Sequence, residues 1–67
     1  MRKFAVVTTV EGYKVEFVNY IAGRSVQEAE SAVFDLFNMK DQVVESMRTE
    51  EIANFPHENA PVVNTMS

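Results

Sequence analysis

The sequence predicts a small α+β fold, an antiparallel β-hairpin followed by one helix and a third strand (ββαβ), with the helix packed on one sheet face. Three observations predict it. Phe4 to Val10 (FAVVTTV) is dense in β-branched residues, which suit a pleated, half-buried surface. Tyr13 to Ile21 (YKVEFVNYI) alternates in character, and Glu11-Gly12 separates the two runs. Ser25 to Phe37 (SVQEAESAVFDLF) carries a start signal and a 3.6-residue period.

Each element has its own grounds. Glycine takes the positive φ that a tight hairpin needs, so Gly12 marks the turn. A two-residue loop would set Val10 against Tyr13, Thr8 against Val15 and Val6 against Phe17. With Phe4, those positions form the face that receives the helix. A longer loop shifts that register. Ala22-Gly23-Arg24 leads into the helix. Ser25, three residues before Glu28, reads as a capping box. At 100° per residue, Val26, Ala29, Val33, Leu36 and Phe37 fall on one stripe, with Ala32 at its edge. Asn38 to Asp41 breaks the period. Gln42 to Ile52 (QVVESMRTEEI) fits two templates. Its paired valines and Thr49 favour a strand, and EEIA favours a helix. A hairpin under one helix is under-built, so the strand is preferred. The domain then spans residues 1–52, and residues 53–67 form a flexible C-terminal tail started by Phe55.

Composition narrows the function classes. The chain has 67 residues and no cysteine, so disulfides and thiolate metal sites are excluded. A single histidine cannot build an ordinary zinc site. No cofactor is expected. A domain this small gains from association with a second copy. No run suits a signal peptide or a membrane span, and a reducing cytoplasm is the expected compartment. The net charge of −4 is unevenly spread. Residues 1–24 hold four basic and two acidic side chains, a balance of +2. Residues 25–67 hold two basic and eight acidic ones, a balance of −6.

No constellation speaks for catalysis. His57 lies between Pro56 and Glu58 in the tail, without the rigid neighbours a general base needs. Neither a glycine-rich phosphate loop nor a pocket-forming length of chain is present. The chain therefore reads as a non-catalytic binding protein.

Its candidate surface is the acidic side of the helix. Phe34 lies about 120° from the centre of the apolar stripe, beside Glu30. With Asn38 also beside it and Gln27 near, it is an aromatic ringed by acids and amides, the makeup of an interface anchor. Glu28, Glu30 and Asp35, with Asp41, Glu45, Glu50 and Glu51, would form a strip for a basic partner. The expected partner-binding residues are Phe34, Glu28, Glu30, Asp35 and Glu45. Two plainer readings stand beside this one: Phe34 packs under the tail against Phe55 or Pro56, or against a second copy of the chain, and the acids are a solvated face. The back of the hairpin carries Val7, Val18 and Tyr20, a candidate homodimer interface; the plainer reading there is ordinary scattered apolar exposure.

The order strand–turn–strand–helix–strand, the serine-led acidic helix start SVQEAE, and Asp41 with Val43 and Val44 opening the last element resemble small phage-encoded inhibitors of host enzymes. The layout is similar to the uracil-DNA glycosylase inhibitors of small phages. The helix here is about a turn longer and the hairpin loop shorter. The resemblance implies a homodimeric DNA mimic, with carboxylates in place of phosphates, acting on a nucleic-acid-binding enzyme. No functional residue carries over individually, and phage antitoxin-like proteins share the layout. Two other functions remain open: a self-associating structural or assembly subunit, and a nucleic-acid binder using the basic hairpin end (Arg2, Lys3, Lys14, Arg24).

Overall fold

The computed structural model describes residues 1–56 and 62–64. His57 and the tail residues 58–61 and 65–67 lie outside the described residues. The elements run β1 (Arg2–Val10), β2 (Glu16–Gly23), α1 (Val26–Met39), β3 (Val44–Ile52) and β4 (Val62–Asn64). The strands form one sheet in the order β3-β1-β2-β4. β1 is antiparallel to both β2 and β3, and this three-stranded sheet with one helix is the α+β layout expected from the sequence. Within the stretch read as tail, β4 adds a short parallel pairing with β2, Tyr20 opposite Val62 and Ala22 opposite Asn64.

Strand periodicity decides which residues become core. On β1, Phe4, Val6, Thr8 and Val10 point to one face and are fully buried. Ile21 of β2 joins them, and Ala29, Val33 and Phe37 of α1 close the core from above. These helix residues recur at every fourth position, so they share one line along the helix. Val26, read into the stripe, is the first residue of the helix and is exposed. Ser25 is the N-cap, and its Oγ accepts from the Glu28 N–H at 3.1 Å. The helix runs two residues past Phe37 and ends within the stretch read as a break: Met39 is its last residue, Lys40 is the C-cap, and Asp41 takes a left-handed φ of 57°.

The hairpin register differs from the two-residue turn. Thr8 lies opposite Phe17, and Val6 opposite Asn19. The connection runs over residues 11–15, with Gly12 at φ 88° and the Tyr13 N–H donating to the Val10 carbonyl at 3.1 Å. The shift is by an even number of residues, so every β1 and β2 side chain keeps its face. Tyr13 and Val15, expected on the helix-receiving face, fall in the connection instead and are exposed. Tyr13 packs edge-on against Phe17, which in turn meets Phe37.

The third element is a strand. β3 pairs along the whole of β1, with a bulge where Thr9 pairs Ser46 and Val10 pairs Val44, leaving Glu45 as the extra residue. A Thr9–Ser46 hydroxyl contact fixes that point.

One core position violates the apolar pattern. Thr8 is fully buried opposite Phe17 and Met47, and its Oγ1 has no hydrogen-bond partner among the described residues. A buried hydroxyl without a partner costs about 1–3 kcal/mol. Thr8→Val keeps the shape and removes that cost. The expected result is about 1 kcal/mol of added stability, read as a Tm higher by about 4–8 °C. An unchanged or lower Tm would mean that the hydroxyl finds a partner in solution.

Candidate functional site

The candidate site follows from how α1 lies on the sheet. Because Ala29, Val33 and Phe37 face down, the line through Glu30 and Phe34 is turned toward β3. Glu30 accepts a hydrogen bond from Thr49 Oγ1 at 2.6 Å, which ties that flank of the helix to β3. Beside this tie is a shallow cleft of about 290 Å³ lined by Glu30, Ser31, Phe34, Asp35 and Met47. Phe34 is 51% exposed although it is a large aromatic on a helix. Its alternative seat against Phe55 is not used, because Phe55 packs on the opposite sheet face against Tyr20.

Three of the five expected partner-binding residues, Phe34, Glu30 and Asp35, therefore come together at one cleft. Glu28 is half-buried in the first helical turn and Glu45 is exposed at the β3 bulge; neither lines the cleft. The acidic strip is also shorter than its sequence suggests. Arg2 grips Glu51 through both carboxylate oxygens, at 2.9 and 2.8 Å. Asp35 and Glu45 are exposed and form no ion pair among the described residues.

An apolar wall of Phe34 and Met47 beside two carboxylates suits a lysine or arginine. The aliphatic stem would lie on the apolar surface and the cation beside the acids, with cation–π attraction from the ring. No described His, Cys, Asp or Glu group could hold a metal ion, and no described helix is long and apolar enough to cross a membrane.

The other expected surfaces are also placed. On the open sheet face, Val7 lies directly opposite Val18, and Tyr20 opposite Ala5. Val18 is 49% exposed, while Val7 and Tyr20 are half-buried. Phe55 covers Tyr20 edge-on at 6.1 Å, and Lys3 Nζ stands over the Phe55 ring at 6.0 Å. The far end of that face is crossed by an Arg48–Glu16 ion pair at 2.8 Å. The four basic residues of the hairpin do not share one end: Lys14 lies in the β1–β2 connection, while Arg2 and Lys3 lie at the opposite end beside Gly23 and Ala22, where Arg2 is committed to Glu51 and Lys3 donates to the Ala53 carbonyl at 3.3 Å.

No known protein-family model, curated protein or solved structure matches this chain. The site therefore stands on its geometry. Sequence reasoning missed Met47 as a cleft wall and missed both ion pairs. The signal was present in β3, where Met47, Thr49 and Glu51 alternate with Ser46, Arg48 and Glu50. It could be used only once the segment was known to be a strand paired with β1.

The hydrogen bond from Arg2 holds the Glu51 carboxyl below its ordinary value, and the same contact raises Arg2. A lowered folded value means that the pair stabilises at neutral pH and that this contribution is lost as pH falls through the folded value. Glu51→Gln should therefore lower Tm slightly at neutral pH, and the gap from the parent chain should close below about pH 4. A gap that stays constant into acid would show that the bridge contributes nothing through charge.

Proposed function

We propose that this chain is a non-catalytic protein-interaction domain that inhibits or modulates another protein in the cytoplasm through the acidic cleft beside Phe34. The observation that carries the reading is a half-exposed phenylalanine held on a regular helix between Glu30 and Asp35, with Met47 beneath. Leaving an aromatic in water on a rigid element gains the monomer nothing, whereas a partner that covers it gains its full burial. The flanking carboxylates select a basic partner. A basic surface that accepts carboxylates is often one built for phosphates, so the partner class proposed is a nucleic-acid-binding enzyme, with the carboxylates standing in for phosphates.

The reading as a self-associating assembly subunit draws on Val7 and Val18, adjacent on the open sheet face. Direct nucleic-acid binding is disfavoured, because Arg2 and Lys3 are already engaged within the chain.

Affinity capture from a relevant lysate tests the proposal. Phe34→Ala and Asp35→Lys should each reduce recovery of the captured protein about tenfold or more, and Tm should move by no more than a few degrees, since both positions are exposed. Recovery unchanged by Phe34→Ala would remove the cleft from the interface. A captured set lacking nucleic-acid-binding proteins would remove the mimicry.

A further inference from the structure

β3 is a nine-residue strand at the end of the sheet, and its outer edge pairs with no described strand. Long open edges are normally shortened, covered or blocked. The direction of its backbone groups follows from one hydrogen bond. The Glu11 N–H donates to the Val43 carbonyl at 2.8 Å, so Glu11 points its backbone toward the β3 side. Alternation along β1 then turns Thr9, Val7 and Ala5 the same way, toward Ser46, Arg48 and Glu50. The N–H and C=O groups of Met47, Thr49 and Glu51 consequently point outward along the open edge.

We propose that this edge pairs with the same edge of a second copy, antiparallel, with Thr49 on the two-fold axis. In that register the outward groups meet: Thr49 faces Thr49 of the second copy, and Met47 faces Glu51 of the second copy. Residues opposite each other share a face, so the two sheets join into one continuous sheet with both helices on the same side. Between the hydrogen-bonded pairs, Arg48 lies opposite Glu50 of the second copy, and symmetry repeats the contact. These are the closer, non-hydrogen-bonded positions, where opposite charges stabilise and like charges repel.

Charge selects this register over its neighbours. Sliding the copies by two residues one way sets Arg48 against Arg48; sliding them the other way sets Glu50 against Glu50. Arg48 is 70% exposed and bonds Glu16 through Nη1, which leaves the rest of its guanidinium for a second carboxylate. The open sheet face offers a second copy less, because Phe55 and the Arg48–Glu16 pair already cross it. Met47 also walls the Phe34 cleft, so the pairing sets that cleft beside the seam between the copies.

Sedimentation equilibrium of the full chain from micromolar to millimolar concentration, with amide exchange read by NMR, tests the pairing. The expected result is a reversible dimer in which the Met47, Thr49 and Glu51 amides gain protection as concentration rises. Glu50→Arg should weaken dimerisation about tenfold or more, and Arg48→Glu combined with Glu50→Arg should recover it. Thr49→Pro removes an outward N–H, so it should abolish the dimer while the far-UV circular dichroism of the fold persists. Thr49→Val, which loses only the hydroxyl bond to Glu30, should keep the dimer. A chain that sediments as a monomer throughout overturns the proposal. So does a dimer that survives Thr49→Pro, or a dimer of the parent chain in which the Met47, Thr49 and Glu51 amides still exchange fast.

Discussion

The structure depends on the packing of one short line of helix residues, Ala29, Val33 and Phe37, on the alternate residues of a central strand. Every other placement follows from it. The helix has one rotation about its axis that buries those three side chains, and that rotation turns Glu30 and Phe34 toward β3. β1 occupies the middle of the sheet because it alone buries an unbroken set of alternate positions, Phe4 to Val10. Apolar burial at about 25 cal/mol per Å² dominates so small a core, so the one threonine within it is conspicuous.

Much of this was legible in the sequence because period and capping are local. Ser25, Gly12 and the break within Asn38–Asp41 act within a few residues of themselves; Ser25 and Gly12 were found where expected, and the helix ends inside that break, at Met39. The hairpin register was not legible, because it depends on a contact made outside the ladder, that of Tyr13 with Phe17. Tyr13 keeps one hydrogen bond to the Val10 carbonyl but packs its ring on Phe17 outside the ladder, a tertiary preference that alternation does not record. Likewise Val62–Asn64 is too short to carry a strand signal, and only its place beside β2 makes it one.

The same distinction holds at the cleft. Phe34 was readable as an outlier because an aromatic off the apolar stripe breaks a local rule. Glu30 follows from it by helical spacing, and Asp35 as its neighbour in sequence. Glu51 shows where this reasoning stops. By composition it belongs with the other acids, but strand pairing places β3 beside the start of β1, and Arg2 takes it. Charge counted along a chain overstates the charge a surface presents whenever pairing brings distant residues together.

The central position of β1 has a consequence for the order in which the molecule can be assembled. Its first neighbour arrives within a short stretch of chain, but its second is β3, some forty positions further on. During synthesis the hairpin and helix emerge with one flank of the middle strand bare. They gain that flank only after Ile52 clears the ribosome, so the sheet is completed late, with closure of a long loop as its slow step.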